Sequence, residues 1–199
     1  MIKPLLTLTA AVVLSAPASA QPSVIRRVQE HLRGVSTMTA DFVQTDRSGK
    51  ALRGRLTIRQ PGKARFQYEA GVPILIVSDG RALNFIDYQV RQVSRWPIGG
   101  SPLEIILNPK RDLSRIARVV PSGAPGVLTV LARDPARPQF GSITLAFTEA
   151  PSAPGGLMLQ GWVALDAQNN RTTVKLSDQR LNVSVPDSAF TWDDPRRKK

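Results

Sequence analysis

The sequence predicts a mainly β chain: ten or eleven short antiparallel strands in a barrel or strongly curved sheet, with few helices. Three observations carry this. Apolar and polar residues alternate with period two from Leu52 onward. Clusters of Pro, Gly, Asn and Asp punctuate the chain at short intervals. One apolar segment, Ser101–Leu107, interrupts the strand series and reads as a helix instead.

Taken in order, the first twenty of the 199 residues read as an export leader. Lys3 precedes an apolar run from Leu5 to Leu14, and Ala18-Ser19-Ala20 is a small-residue cleavage site. The run is too short to span a bilayer. The expectation is cleavage after Ala20, leaving residues 21–199 as one domain. There is no cysteine, hence no disulfide, no thiol nucleophile and no lipid-bearing cysteine at the cleavage site. An exported chain without disulfides points to the bacterial periplasm, which makes nucleic acid a poor partner. The formal net charge of +12 is mostly arginine. Scattered arginines are read first as solubilising charge and second as a surface for an anionic partner.

Pro22 to Val35 is predicted as an amphipathic helix, with Val24, Ile25, Val28, Leu32 and Val35 on the face that packs on the sheet. His31 is the single histidine and is expected on the surface rather than as a ligand or base. Strands follow at Met38–Thr45 and at Leu52–Gln60. In the second, Leu52, Gly54, Leu56, Ile58 and Gln60 share one face, and Arg53, Arg55, Thr57 and Arg59 the other. Arg65–Glu69 puts Phe66 and Tyr68 on one side. Ile74–Val77 is apolar on both faces and needs cover on both, with the first helix as the available cover. Ala82–Tyr88 and Val90–Arg95 complete this half.

Ser101 suits an N-cap, Pro102 the first helical position, and Glu104 the far end of a capping box. The helix they open, Pro102–Leu107, is apolar on all sides. It is either plugged into a core or laid over a cavity. Strands resume at Ala117–Val120, Val127–Ala132, Gly141–Phe147, Leu157–Asp166 and Arg171–Ser177. Pro186–Phe190 reads as one helical turn.

Nucleophile-elbow, zincin, Walker and dinucleotide-fingerprint motifs are all absent. With one histidine and no cysteine, most hydrolytic mechanisms lack parts, so the chain is read as no enzyme. The greasy sheet face is left with two readings, a filled core or an acyl-chain site. Burying one long acyl chain would release on the order of 10 kcal/mol, at about 0.8 kcal/mol per methylene.

Several segments in order resemble the LolA family of periplasmic lipoprotein carriers. Ala40-Asp41-Phe42-Val43-Gln44 is similar to its opening strand. Gly54 to Tyr68 is similar to its central G-x-L-x-(V/I)-x-R-P-x-K-x-R-W-x-Y pattern. Ile76-Val77-Ser78-Asp79-Gly80 follows as expected, Ser101 to Leu107 sits where the family has a lid helix, and Asp166–Leu176 and Asn182–Phe190 resemble its end. The resemblance implies an unclosed antiparallel β-barrel of about eleven strands with an N-terminal helix and a lid of short helices. It implies no cofactor, no metal and no covalent chemistry. The implied partners are the acyl chains of outer-membrane lipoproteins, an inner-membrane ABC-type releasing complex and an outer-membrane acceptor, met by a monomer. The expected cavity residues are Leu56, Ile58, Phe66, Tyr68, Phe85 and Trp96, with Phe42 and Leu145 behind them. The expected lid residues are Leu103, Ile106 and Leu107. The family commonly places an arginine before the proline of its central pattern, where it holds the lid shut; here that position is Gln60. The alternatives are a periplasmic lipid- or lipoprotein-sensing module, or one for anionic glycolipid. Salt separates the last, since electrostatic binding fades with ionic strength and acyl-chain binding does not.

Overall fold

The computed structural model describes residues 20–196. Residues 1–19 of the expected leader lie outside the described residues, as does the basic tail beyond Arg196, whereas Ala20 opens the first helix. Helix α1 runs Ala20–Gly34, two residues earlier at its start than its apolar stripe indicates. Strands β1 (Thr37–Thr45), β2 (Ala51–Arg59), β3 (Lys63–Tyr68), β4 (Ile74–Asp79), β5 (Ala82–Asp87) and β6 (Gln92–Pro97) follow as a meander. A segment from Ile98 to Ile116 holds a 3-10 turn (Ile98–Gly100) and the single-turn helix α2 (Glu104–Leu107). Strands β7 (Ala117–Val120), β8 (Val127–Ala132), β9 (Ser142–Glu149), β10 (Leu157–Leu165) and β11 (Arg171–Leu181) form a second meander.

Among the described residues the eleven strands make one antiparallel sheet in the order β6-β5-β4-β3-β2-β1-β11-β10-β9-β8-β7. β6 and β7 are its two edges and do not pair with each other, so the barrel stays open. The two meanders join at its centre through β1 and β11, with Phe42 opposite Leu176 and Gln44 opposite Val174. Strands consecutive in sequence are neighbours in space everywhere except between β6 and β7. There the chain must travel from one edge of the sheet to the other, and residues 98–116 make that crossing.

The register sets one apolar face. Leu56 stands opposite Phe66 and Ala40, and Ile58 opposite Ala64 and Met38. Phe42, Phe66 and Tyr68 meet edge-on, with ring centroids 5.3–5.5 Å apart, and Phe66 meets Trp162 at 6.3 Å. Gly54 makes room for this cluster. A Cβ there would lie 2.2 Å from the Gln67 carbonyl and 2.8 Å from the Phe42 ring. Leu145, Phe147, Val130 and Val174 extend the same buried face across the second meander.

α1 covers the second half of this face, packed on β7, β10 and the 3-10 turn Pro154–Gly156. Ile25, Val28, Leu32 and Val35 are buried there. The surface placement expected for His31 is overturned. It is 2% exposed, its ring stands edge-on to Phe147, and Nδ1 lies 3.1 Å from the Pro154 carbonyl. Three residues after Val28 and seven after Val24, His31 borders the apolar stripe, and the sheet on one side and the 154–156 turn on the other enclose it. Arg27 completes the grip, donating to the carbonyls of Gly155 and Gly156 and to Glu149.

The convex face of β4 and β5 has a cover other than the expected first helix. Leu75, Val77 and Ile86 are buried under Phe190, Val185 and Trp192 from the C-terminal segment. Arg59 and Lys63 both reach Asp187, and Arg65 donates to the Thr191 carbonyl at 2.8 Å. These alternating arginines are therefore fastenings as well as solubilising charge.

Burial holds the His31 imidazole below its ordinary pKa. Above about pH 6.5 it is neutral in folded and unfolded chains alike, and its contribution is whole. As pH falls below that, the unfolded chain takes up the proton first, so stability drops until the folded pKa is passed. Urea midpoints are expected to fall between pH 7.5 and 5.5, and His31→Phe is expected to flatten that slope. Equal slopes in the two proteins would show that the imidazole is not the group responsible.

Candidate functional site

The site is the half of the concave face that α1 leaves uncovered. Its cover is the crossing segment. Ile105, Ile106 and Leu107 of α2 are buried, as are Ile98 before it and Leu113 after it. All five belong to the same apolar cluster as Leu56, Ile58 and Phe66. A four-residue helix holds little stability of its own, so its place depends on this burial and on a few hydrogen bonds.

Those hydrogen bonds are unevenly spread. At the C-terminal end of α2, Gln60 Nε2 donates to the Ile106 carbonyl at 2.5 Å, and the Gly62 amide donates to the Leu107 carbonyl at 2.8 Å. Two carbonyls that a helix end leaves unpaired are thus met from the β2–β3 turn. Gly62 has φ of +78°, and a Cβ there would lie 2.8 Å from Gly80, so a side chain fits poorly. Gln60 Oε1 is buried and unpartnered. Beyond α2, Gln29 of α1 accepts from the Leu113 amide at 2.9 Å and donates to the Pro109 carbonyl. The downstream base of the segment is therefore tied to α1.

The expected N-terminal cap forms differently. Ser101 Oγ accepts from the Leu103 amide at 3.2 Å, but Leu103 occupies the N-cap position of α2 and no side chain caps it. Glu104 closes no capping box; its carboxylate faces Arg137 at 3.5 Å and Arg111 at 4.0 Å. A nearby charge offers a carboxylate more than an exposed backbone amide does.

Between the front of the segment and the sheet lies a cavity of about 210 Å³. Phe66, Ile76, Trp162, Ala164 and Val174 line its apolar wall, and Ser101, Pro102 and Leu103 lie against it from the crossing segment. Its polar rim comprises Gln44, Asp166, Asn170 and Thr172. Of the residues expected from sequence, Phe66 and Leu103 line this space. Leu56, Ile58, Ile106 and Leu107 are at most 3% exposed and lie in the packed core beneath the segment. Phe42 and Leu145 are buried with them. Tyr68 is buried at the strand end, where its hydroxyl donates to Gln44 Oε1 at 2.8 Å. Desolvation pushes that phenol up to about 12, so it stays neutral. Phe85 and Trp96 stand apart from the cavity at the free β5–β6 edge, edge-on to each other at 6.4 Å, with Trp96 half exposed. They carry the alternation of a concave face, but the edge strand has no neighbour to enclose them.

Trp162, Ala164, Val174 and Ile76 are cavity residues that sequence reasoning left unassigned. Trp162 had a signal, being the one aromatic in the alternating Leu157–Leu165 strand. Ala164 had none, because a small residue marks a hollow only once its neighbours are known. Among the described residues no cluster of His, Asp and Glu is arranged to hold a metal ion.

Residues 33–193 match the LolA family model, described as outer membrane lipoprotein carrier protein. The outer-membrane lipoprotein carrier protein of Chromobacterium violaceum is 31% identical over 201 residues, spanning 97% of this chain and 94% of that protein. The protein of the same name from Pseudomonas fluorescens is 24% identical over 202 residues, spanning 96% and 94%. Two solved structures share the fold at low identity. An uncharacterized conserved protein from Thermus thermophilus aligns with a TM-score of 0.51 at 13% identity, covering 84% of this chain and 92% of that one. A DUF1329 family protein from Desulfovibrio piger aligns with a TM-score of 0.52 at 9% identity, covering 85% and 95%. Matched along most of its length by the family model, and by a relative above 30% identity over nearly all of it, this chain belongs to the LolA family of outer membrane lipoprotein carrier proteins.

Proposed function

We propose that the chain is a periplasmic carrier that takes the acyl chains of a released lipoprotein between its concave face and the crossing segment, which acts as a lid. One observation carries the reading. Half of the apolar face is covered by a single-turn helix that a few hydrogen bonds hold, beside a cavity that is already open and mostly apolar. At about 210 Å³ that cavity is smaller than the roughly 300–1,000 Å³ typical of ligand sites, so a lipoprotein's acyl chains need the lid to move.

Lid and cargo then compete for one surface. Three fully buried aliphatic side chains such as Ile105, Ile106 and Leu107 are each worth about 1.5–3 kcal/mol. Their sum is of the same order as the roughly 10 kcal/mol from burying one acyl chain. Displacing the lid thus offsets much of the gain from cargo. Binding of that kind is reversible, as a carrier requires. No cofactor or covalent step enters it. The leader directs the chain to the periplasm, an inner-membrane releasing complex loads it, and an outer-membrane acceptor unloads it.

Release of labelled lipoprotein from spheroplasts tests the reading. The mature chain is expected to bring lipoprotein into soluble form. Ala164→Trp, which fills the cavity from β10, is expected to lower the amount about tenfold, roughly 1.4 kcal/mol. A chain that carries no lipoprotein would refute the proposal.

Gln60 is the lid's latch in this reading, and a weak one. Its amide makes one neutral hydrogen bond while its buried oxygen goes unpaired, a penalty of about 1–3 kcal/mol. An arginine there would bring charge-assisted donors and no acceptor to satisfy. Gln60→Arg is expected to slow exchange of the lid amides and to reduce lipoprotein loading. Unchanged exchange and loading would remove the latch role from this position.

A further inference from the structure

The lid's front edge is fastened by something other than Gln60. We propose that Arg137 is a positioning residue for the lid, a charged clasp that ties Gly99 and Glu104 to the loop between β8 and β9 and sets how readily the lid opens. The inference rests on the carrier reading only for its consequence to cargo; the clasp itself is geometric.

Arg137 touches both sides of the boundary. On the loop side its Nε donates to Asp134 Oδ2 at 2.8 Å, and its guanidinium lies over the Phe140 ring, 5.1 Å from the centroid. On the lid side Nη1 reaches the Gly99 carbonyl at 3.4 Å and Nη2 the Glu104 carboxylate at 3.5 Å. Arg111, which follows α2, closes the circuit. It binds Asp134 at 2.5 Å and faces Glu104 at 4.0 Å. Two carboxylates and two guanidiniums thus alternate around one ring of contacts, half from the crossing segment and half from the loop.

The loop is shaped for this task. Asp134 Oδ1 accepts from the Ala136 amide at 3.0 Å, and the Arg137 amide donates to the Asp134 carbonyl at 3.1 Å. The turn therefore fixes Asp134 and Arg137 relative to each other before the lid arrives. Arg137's hydrogen bond is the main influence holding the Asp134 carboxyl below its usual range. The cleft between the lid, the loop and β9 has a volume of only about 30 Å³, lined by Glu104 and Arg111 on one side and Asp134 and Arg137 on the other.

Burial decides how much these charges matter. Exposed ion pairs contribute little, but the side chains of Glu104 and Asp134 are only 15% and 19% exposed. There the charges are screened less, and stripping one partner leaves a carboxylate desolvated and underpaired. Nothing comparable is available to Gln60, whose contact is neutral. The two fastenings also sit at opposite ends of α2, Gln60 at the Ile106 carbonyl and Arg137 at the Glu104 carboxylate.

Hydrogen exchange on the full mature chain tests the clasp, with Arg137→Gln, Glu104→Gln and the double variant. The Ile106, Leu107 and Asn108 amides report the lid, and the β10–β11 amides report the fold. Either single variant is expected to speed lid exchange about tenfold and leave β10–β11 within twofold. The double variant should fall well short of the product of the singles, because the Arg137–Glu104 contact they share can be lost only once. Raising NaCl to 0.5 M should speed lid exchange more in the unmodified chain than in Arg137→Gln, which keeps only the Arg111 pairs. Lid exchange within twofold of the unmodified chain in both singles, or equal acceleration in β10–β11, overturns the proposal. Glu104→Gln is near-isosteric, so it reads the clasp even where Arg137→Gln loosens the loop. Uptake of a pyrene-labelled fatty acid separates the two readings. A faster lid with no uptake in any variant refutes the carrier and keeps the clasp; uptake with an unchanged lid does the reverse.

Discussion

An open sheet cannot cover its own concave face, and this sheet has its one long connection where that face is bare. The two meanders meet at β1 and β11, so their far ends, β6 and β7, are the edges that fail to meet. The chain between them has to cross the opening. A polar crossing would leave Leu56, Ile58 and Phe66 facing water; an apolar one covers them. Ile98, Ile105, Ile106, Leu107 and Leu113 make it apolar. The lid is thus a consequence of topology before it is a functional device, and the rest of the architecture serves to hold the two edges and the crossing in place.

The same face has a second cover, and the difference between the two is instructive. α1 spans fifteen residues and is gripped from outside as well as below, through Arg27 on Gly155, Gly156 and Glu149, and through His31 on Pro154. Lifting it would break these contacts and bare the apolar face it covers. α2 has four residues, two carbonyls met from the β2–β3 turn, and one half-buried carboxylate. Its downstream base is tied to α1 through Gln29. α1 is therefore held by more contacts than α2, whose downstream base it anchors. Local opening draws on short segments held by few hydrogen bonds, and α2, though its apolar side chains are buried, is one of these.

Most of this fold was legible because period-two alternation is a local signal. Every strand was placed to within a few residues, and the face of β2 bearing Leu56 and Ile58 was assigned correctly. What escaped was the identity of the partner on each face. Leu75 and Val77 announced a second cover, yet only the folded chain shows that Phe190 and Trp192 supply it. His31 borders the apolar stripe, three residues after Val28 and seven after Val24, but a period shows only that it flanks the stripe; its burial is completed by a turn more than a hundred residues away. Phe85 and Trp96 have the alternation of cavity residues, but edge position decides enclosure, and no periodicity reports which strand is an edge. Ala164 and Trp162 became a wall only through their opposition to Phe66 and Val174.

The departure at Gln60 takes on a different meaning beside Arg137. Read alone, a glutamine in place of a latch arginine implies a looser lid. The structure puts guanidinium groups at the lid after all, at its other end, from Arg137 and Arg111 rather than from the sheet. The chemistry of the two arrangements differs in one respect that bears on cargo. If the segment lifts to admit acyl chains, as proposed, a guanidinium rising from the concave face would stay behind as a charge among apolar walls. Gln60 leaves an uncharged amide there, while Arg137 sits on the outer loop, beside Asp134 and over Phe140, and keeps both partners when the lid departs. On the carrier reading, moving the charge from the wall to the rim would hold the lid without charging the cavity, and that is the physical sense in which glutamine would suit position 60 of this chain.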